Sequence, residues 1–270
     1  MDWARFALLG LVQGATEFIP VSSSGHLVLV PWLMGWKHPG LLFDTIVHWG
    51  TLAGVLACLW RDVRSLLQAW LQSISRRRVT TLEERLAWFI ILGTIPAALM
   101  GCLWGDFFEE LFDSPPKVAA LLLATGAVLV LGETQGSKSR GLERLSVLDV
   151  VLIGIAQGIA IAPGISRSGI TMATGLFRGI RREEAARYSF LLSIPIILGA
   201  GLQQISRAPL GSLEQGWPPL ALGFLCAGIS GFISVQILLS FLRRHRLYVF
   251  AAYCWLMGGI SLLLAMAGWK

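Results

Sequence analysis

The chain has 270 residues, of which 55% are hydrophobic and only 14% are charged, with a mean hydropathy of +0.68. Soluble domains carry roughly a quarter charged residues, so this composition excludes an ordinary water-soluble domain and indicates an integral membrane protein. The net charge of +6 does not indicate nucleic acid, because the basic residues lie between apolar segments, where they report membrane topology. The four cysteines lie singly, without a metal-binding spacing or a disulfide framework.

The apolar segments are of two kinds, interrupted and uninterrupted. Along the chain, one interrupted segment is followed by three uninterrupted ones, and the same order then repeats. The interrupted segments, 3–36 and 147–177, are broken by Gly, Pro and Ser clusters. The uninterrupted segments are long enough to cross a bilayer and are predicted at 41–60, 86–105, 116–133, 188–205, 219–242 and 247–268. The N-terminus lacks a basic region and a cleavage site, so no removable signal peptide is expected.

Basic residues predict which loops share a side of the membrane. Sixteen Lys and Arg residues lie in four loops, Arg61–Arg85, Glu133–Ser146, Arg178–Arg187 and Arg243–Arg246. Only one basic residue lies in each of the loops Asp106–Lys117 and Ser206–Pro218. The positive-inside rule puts the four basic loops in the cytoplasm and the other two loops outside, with both termini. This arrangement requires that 3–36 and 147–177 do not cross, so we interpret them as re-entrant helical hairpins.

A short internal repeat supports this topology. Gly10-Leu-Val-Gln-Gly14 matches Gly154-Ile-Ala-Gln-Gly158, and Ser22-Ser-Ser-Gly25 matches Ser166-Arg-Ser-Gly169, both 144 residues further on. We therefore predict one all-α membrane domain over 1–270. It would consist of two repeats, 1–134 and 147–270, each a re-entrant hairpin followed by three transmembrane helices. Because three is odd, the repeats have inverted topology, with their broken helices meeting near the midplane.

The first hairpin carries candidate catalytic and binding residues in QGATEFIPVSSSGH at 13–26. Gln13 and Glu17 are four residues apart and share a helix face, and an intramembrane carboxylate is costly unless it faces a partner or a polar cavity. Ser22–Ser24 stand where a helix would begin, and hydroxyls with free N–H groups suit phosphate oxygens there. His26 in the first turn could serve as a general acid or base. The alternatives are a carboxylate at a wet interface and serines that only satisfy a broken backbone.

The second hairpin carries PGISRSGIT at 163–171. An unpaired Arg167 at the bilayer centre would cost at least ~2.5–3.5 kcal/mol, so it needs an anionic partner, and a guanidinium matches phosphate in a two-pronged geometry. Ser166, Ser168 and Thr171 add hydroxyl donors. The alternative is a structural ion pair between Arg167 and Glu17.

At these residues the chain resembles a known family. QGATEFIPVSSSGH and PGISRSGIT, with FDTIVHWGT at 43–51 and YSFLLSIPIILGAG at 188–201, are similar to the signatures of the bacterial undecaprenyl-diphosphate phosphatase family, also called the bacitracin-resistance protein family. The resemblance covers essentially the whole chain. It implies a hydrolase acting on a phosphoric anhydride, which converts undecaprenyl diphosphate to undecaprenyl phosphate and inorganic phosphate. That reaction recycles the lipid carrier for peptidoglycan synthesis and confers bacitracin resistance.

The resemblance also implies a divalent cation, Mg²⁺ or Ca²⁺, and an active site at the outer face of the bacterial plasma (inner) membrane. It places functional positions on Gln13, Glu17, Ser22, Ser23, His26 and Arg167. The family has Glu or Gln at its first position, and Gln13 leaves Glu17 as the one carboxylate there, so a metal site of two acids is not expected. Glu17 with Gln13 would hold the cation or a water, Arg167 would bind the diphosphate, and Ser22 and Ser24 would orient it. Two routes stay open: Ser23 attacks with His26 as base, or His26 activates water.

Other functions fit parts of the pattern. Inverted repeats with broken helices are typical of transporters, so a transporter or lipid flippase is the main rival. A structural scaffold would leave Glu17 and Arg167 unexplained. Asp44 and His48, also four residues apart, are either supporting partners of the site or interfacial residues. The expected partners are the lipid substrate and membrane lipids, with homodimer formation left open.

Overall fold

The computed structural model describes residues 3–207 and 216–269, so most of the loop predicted at Ser206–Pro218 lies outside the described residues. Within those two ranges the fold is all helical, without a β-strand. The helices are α1 Trp3–Phe18, α2 Ser23–Leu33, α3 Leu41–Cys58, α4 Trp60–Arg76, α5 Leu82–Phe112, α6 Pro115–Thr134, α7 Val147–Ile159, α8 Arg167–Phe177, α9 Arg182–Arg207, α10 Trp217–Leu242 and α11 Tyr248–Met266.

Six of these helices are long and apolar enough to cross a membrane, namely α3, α5, α6, α9, α10 and α11. They coincide with the six predicted transmembrane segments, so the chain is a multi-pass α-helical membrane protein. The largest difference at the ends is in α5, which has 31 residues and extends the predicted segment 86–105 in both directions.

The interpretation of Arg61–Arg85 as a loop is wrong over most of its length. Helix α4 occupies Trp60–Arg76, and its C-cap, Arg77, adopts a left-handed conformation with φ of 53°. The segment has too many polar residues to register as a transmembrane span, although its apolar residues recur at helical spacing. A search for long apolar runs therefore overlooks it.

The two interrupted segments form helix pairs, α1 with α2 and α7 with α8. In the first pair, the Arg5 side chain donates to the Lys37 carbonyl at 2.6 Å. Beside the second pair, the Arg140 N–H donates to the Gly179 carbonyl and the Arg181 N–H to the Arg140 carbonyl, both at 2.9 Å. In each pair, the start of the first helix therefore lies close to the end of the second helix, as in a hairpin. That these hairpins are re-entrant stays a prediction.

The loops rich in arginine meet at one end of the molecule. Arg85, in the first turn of α5, donates to the Glu143 carbonyl at 2.5 Å, which joins the start of α5 to the loop before α7. The buried Glu133 carboxylate accepts hydrogen bonds from Arg182 at 2.6 Å and from the Leu247 N–H at 3.0 Å. All four basic loops thus lie on one side, which is the arrangement that the charge pattern predicts.

A buried carboxylate holds the base of the second hairpin at this end. Asp149, in the first turn of α7, accepts hydrogen bonds from Arg140 at 2.7 Å and from Arg178 at 2.5 Å. Burial raises the pKa of Asp149, but hydrogen bonds from the two arginines and from Ser146 outweigh it and hold the pKa well below its ordinary value. The ionised carboxylate therefore stabilises the folded state.

Because the folded-state pKa of Asp149 is depressed, its contribution is present above the unfolded aspartate pKa of about 3.9 and is lost as the pH falls below it. We expect the thermal unfolding midpoint of the purified protein to fall between about pH 5 and about pH 3. Asp149→Asn should lower the midpoint at neutral pH and flatten this acid dependence. Unchanged acid dependence in the variant would contradict the assignment.

Close helix packing positions the hairpins. Helix α1 packs along α10 and α7 along α5, so the first helix of each hairpin lies against a long helix of the other half. A Cβ on Gly14 would collide with the Ser230 hydroxyl and the Ala227 carbonyl oxygen. A Cβ on Gly154, in the second copy of the motif, would collide with the Gly93 carbonyl oxygen. This exchange of packing partners supports the inverted repeat, which remains our proposal for the domain organisation.

Gly14→Leu is expected to lower both the yield of folded protein and its thermal unfolding midpoint, because α1 and α10 would have to separate. Gly259→Leu is a matched control in a membrane helix, since an added Cβ there meets no atom within 4 Å. Equal losses in the two variants, measured by size-exclusion chromatography and thermal unfolding in detergent, would contradict the packing argument.

Candidate active site

The site lies where the two hairpins turn. Ser22 is the N-cap of α2, and its hydroxyl accepts a hydrogen bond from the Gly25 N–H at 3.2 Å. Ser166 is the N-cap of α8 and accepts from the Gly169 N–H at 3.0 Å. The caps are equivalent in the internal repeat. Two helix N-termini, with their partial positive charge and free N–H groups, are therefore brought to one region of the molecule.

Glu17, in the last turn of α1, joins the two turns and is 6% exposed. Its Oε2 accepts a hydrogen bond from the Ser23 hydroxyl at 2.5 Å and another from Gln13 Nε2 at 2.7 Å. Its Oε1 accepts one from Arg167 Nη2. Ser23 and Arg167 are equivalent positions of the repeat, 144 residues apart, so one carboxylate binds a hydroxyl from one hairpin and a guanidinium from the other.

The predicted ion pair between Arg167 and Glu17 is present in the structure. Glu17 of this pair is buried and Arg167 is partly buried, and the carboxylate has a hydroxyl and an amide as further partners. A buried pair held by such hydrogen bonds is consistent with either a structural or a functional role. A cavity lies beside it.

A cavity of about 260 Å³ opens beside this pair. Five of the predicted site residues line it: Glu17, Ser23, Ser24, Ser166 and Arg167. Its remaining wall is largely apolar and includes Leu27, Leu41, Phe112, Ile161, Ile196 and Ile197. Leu41, Asp44, Phe112 and Gln204 also line a neighbouring cavity of about 740 Å³. The first cavity thus has a polar end and a largely apolar wall, whereas Asp106, Glu109, Glu110 and Asp113 also line the neighbouring one.

The structure does not bring His26 to this cavity. Its Nδ1 lies 2.7 Å from the Ser22 carbonyl oxygen, and its Nε2 lies 2.7 Å from the Tyr253 hydroxyl. A carbonyl oxygen can only accept, so Nδ1 carries a hydrogen and Nε2 accepts from the tyrosine. Both ring nitrogens are therefore engaged on the side of α2 that faces α11.

Four other predicted site residues support the turns rather than line the cavity. Ser168 shares a hydrogen bond with Ser166 at 3.2 Å and donates to the Ile19 carbonyl at 3.3 Å. Thr171 donates to the Arg167 carbonyl at 2.7 Å, one turn back along α8. Gln13 and Ser22 are likewise buried, the first against Glu17 and the second as a helix cap.

Three residues without an assigned role in the sequence line the cavity. His48 Nε2 lies 3.5 Å from Glu17 Oε2, and its Nδ1 donates to the Asp44 carbonyl at 2.7 Å. Asp44 itself is also in the wall, so the two belong to the site rather than to the interface. Gln157, the repeat partner of Gln13, is the third, and its side-chain amide atoms are buried without a hydrogen-bond partner among the described residues.

The protein supplies too few oxygen ligands to hold a hard cation by itself. Within the described part of the chain, no group of three His, Cys, Asp or Glu residues could hold a metal ion. The Glu17 carboxylate lies here with both oxygens hydrogen-bonded, and Gln13 Oε1 next to it is buried without a hydrogen-bond partner. One carboxylate and one amide oxygen suit Mg²⁺ or Ca²⁺ when phosphate oxygens of a substrate supply further ligands. These residues therefore fit a cation that binds together with its substrate.

The fold and the site together define a multi-pass membrane protein with a polar, largely buried site between two helix turns. Residues 6–260 match the family model described as bacitracin resistance protein BacA, and the chain belongs to this family. It is 43% identical to an undecaprenyl-diphosphatase of Desulforudis audaxviator, over 96% of each chain. It is 42% identical to an undecaprenyl-diphosphatase of Methanosphaera stadtmanae, over 98% of this chain and 99% of the relative.

Proposed function

We propose that the protein is an undecaprenyl-diphosphate phosphatase, which hydrolyses its substrate to undecaprenyl phosphate and inorganic phosphate. The observation that carries this proposal is the contact of Glu17 with both Ser23 and Arg167 at the polar end of an apolar cavity. The relatives named undecaprenyl-diphosphatase support the same substrate.

The cavity suits a diphosphate on a polyprenyl chain. Arg167 and the N–H groups at the starts of α2 and α8 would bind the diphosphate oxygens. The apolar wall, with Ile196 and Phe112, would contact the first isoprenyl units. When the diphosphate enters, it replaces Glu17 as the partner of Arg167, which frees the carboxylate for proton transfer.

Ser23 is the nucleophile in our proposal. Its hydroxyl lines the cavity and donates to Glu17 Oε2 at 2.5 Å, which is the geometry of a nucleophile with its general base. Ser23 Oγ attacks the terminal phosphorus while Glu17 takes the hydroxyl proton. The bond to the bridging oxygen breaks, Glu17 passes the proton to that oxygen, and undecaprenyl phosphate leaves. Water then attacks the phosphoserine and gives a proton to the ionised Glu17, which returns it to Ser23 Oγ as inorganic phosphate is released.

This route gives the role of base to Glu17 rather than to His26. The imidazole of His26 is bonded to Ser22 and Tyr253, outside the cavity wall. In this mechanism it positions the start of α2, and so the Ser23 hydroxyl, through the Ser22 carbonyl. Arg167 and the helix N-termini stabilise the charge on the transferring phosphoryl group.

We propose that Gln13 and the Glu17 oxygen released by Arg167 would hold a divalent cation together with the diphosphate, while the other Glu17 oxygen keeps its contact with Ser23 and acts as the base. When bound, such a cation neutralises phosphate charge and stabilises the leaving group. Treatment of the purified protein with EDTA is expected to abolish phosphate release, and added Mg²⁺ or Ca²⁺ should restore it. Full activity in EDTA, after exhaustive removal of metal, would overturn the cation proposal without affecting the assignment of Ser23.

We propose a location in the bacterial plasma membrane, with the site open to the outer side. The cavity wall includes Phe112, at the end of α5 remote from Arg85 and the other basic loops. By the positive-inside rule, the site then faces away from the cytoplasm. In a cysteine-free background, Asp113→Cys should react with an impermeant maleimide added outside spheroplasts, and Ser137→Cys should not. The reverse pattern would contradict this orientation.

Phosphate release tests the proposed function. Purified protein in detergent is expected to release inorganic phosphate from undecaprenyl diphosphate. The main rival is a transporter of the lipid carrier, supported by the packing of the two halves on each other. Movement of undecaprenyl phosphate across proteoliposomes, with no phosphate release from the diphosphate in either preparation, would favour the transporter. Cells that overexpress the protein would become resistant to bacitracin only if it has the hydrolytic activity.

A further inference from the structure

Helix α4 has three distinct faces. The first packs against the protein, chiefly on α5, and contains the buried residues Ala69 and Ser73. Ser73 accepts a hydrogen bond from Trp88 Nε1 at 2.9 Å, and the Trp70 and Trp88 rings meet edge to face. This face fixes the position of α4 on the membrane domain.

The second face is apolar but exposed. It consists of Trp60, Leu67, Leu71 and Ile74, each between 47% and 59% exposed. Their spacings of seven, four and three residues place them along one line of the helix. Four large apolar side chains in a continuous stripe would be unfavourable in water, so the stripe needs an apolar partner.

The third face is polar, and it borders the apolar stripe on the side away from the protein. Arg61, Arg64, Ser65, Gln68 and Gln72 are all exposed there. Over the described ranges, Arg61 and Arg64 make no ion pair, whereas Asp62 on the protein side pairs with Arg187. Two uncompensated positive charges therefore stand beside the stripe.

The position of α4 suggests what covers the stripe. The helix directly follows the membrane helix α3 and precedes α5, at the end of the molecule where the basic loops meet. A helix at that level has hydrocarbon on one side and water on the other. An apolar stripe flanked by a basic polar face is the pattern of a helix that lies in the membrane interface.

We propose that α4 lies in the bilayer surface and binds acidic phospholipid headgroups on the side that carries the basic loops. The stripe from Trp60 to Ile74 would contact acyl chains, while Arg61 and Arg64 bind the headgroup phosphates at the same level. Charge complementarity favours an acidic lipid over a zwitterionic one, and the ratio of the two binding constants should rise by about fivefold for each arginine near the surface. This inference is independent of the proposed phosphatase activity.

The burial of the stripe can be measured with spin labels in nanodiscs of phosphatidylglycerol and phosphatidylcholine. In a cysteine-free background, nitroxides at Leu67→Cys and Leu71→Cys are expected to collide with oxygen, which concentrates in the acyl region. Nitroxides at Gln68→Cys and Gln72→Cys should collide instead with a water-soluble nickel chelate. Collision with the nickel chelate at the leucine positions as well as the glutamine positions would show that the stripe lies in water. Leucine positions that collide with neither oxygen nor the chelate would show that a second copy of the chain covers the stripe. Either result would overturn the proposal.

Lipid selectivity provides the second test, with phosphatidylglycerol and phosphatidylcholine as probes. Native mass spectrometry of the full chain should show preferential retention of phosphatidylglycerol. Arg61→Gln with Arg64→Gln is expected to reduce that preference by more than tenfold. Arg244→Gln with Arg246→Gln is the matched control, since it removes the same charge from exposed arginines at the same end. An equal loss in both double variants would show that net charge alone attracts the lipid and would overturn a site on α4.

Discussion

Arg167→Ala is expected to reduce kcat/KM for undecaprenyl diphosphate by about a thousandfold or more. The guanidinium is the one charged donor that lines the polar end of the cavity among the described residues, so its loss leaves the transferring phosphoryl charge without its main partner. Arg167→Lys should recover only part of the rate, because an ammonium ion cannot bind phosphate in the two-pronged geometry of a guanidinium. The measurement is the initial rate of phosphate release at matched protein concentration.

The same substitution also leaves Glu17 buried without its cationic partner, which is expected to destabilise the fold by roughly 3–5 kcal/mol. Arg182→Ala is the matched control, since it breaks the ion pair to the buried Glu133 at the other end of the molecule. Both variants should unfold at lower temperature, but only Arg167→Ala should lose activity in the fraction that remains folded. Comparable activity losses in the two would mean that Arg167 matters only for stability.

Ser23→Ala is expected to reduce kcat by about ten thousandfold with little change in KM, because it removes the attacking oxygen and leaves the anion donors in place. Ser24→Ala is the neighbouring control. Ser24 also lines the cavity, but it makes no hydrogen bond to Glu17 in the described structure, so its loss should mainly raise KM and by less than about tenfold. Steady-state kinetics on both variants would separate the two effects.

Similar rates for Ser23→Ala and the wild type would show that a water molecule makes the attack. In that case, Glu17→Gln should still abolish turnover, since Glu17 would be the base for water. Loss of activity in Glu17→Gln with retention in Ser23→Ala is thus the pattern that would replace our mechanism by direct hydrolysis.

Much of the fold follows from the sequence because lipid imposes a simple rule. Each of the six apolar segments must be helical to satisfy its own backbone, so hydropathy alone places α3, α5, α6, α9, α10 and α11. Hydropathy does not reveal helix α4, because the segment is too polar for a membrane span and packs on α5. Long apolar runs carry no information about such a helix, whereas the period of its apolar residues does.

The site was predictable to the extent that it is built from local turns. The cap at Ser22 follows from the sequence, because a broken helix in a membrane exposes N–H groups that need polar partners, and the equivalent cap at Ser166 follows from the internal repeat only once the structure is known. The position of His26 was not predictable, since its partner Tyr253 lies 227 residues further along the chain. The role of His48 does not follow from the sequence for the same reason, because its contact with Glu17 depends on how α3 packs against α1.

The central claim is that Ser23 attacks a diphosphate that Arg167 holds, with Glu17 as the base. Stereochemistry at phosphorus tests it most directly, because a covalent intermediate requires two displacements and direct attack by water requires one. The substrate would be undecaprenyl diphosphate with a chiral, isotopically labelled terminal thiophosphoryl group, hydrolysed in isotopically labelled water. We expect thiophosphate with retained configuration. Inverted configuration would contradict the serine mechanism. If the protein releases neither thiophosphate from this substrate nor phosphate from the natural one, the phosphatase function itself is contradicted.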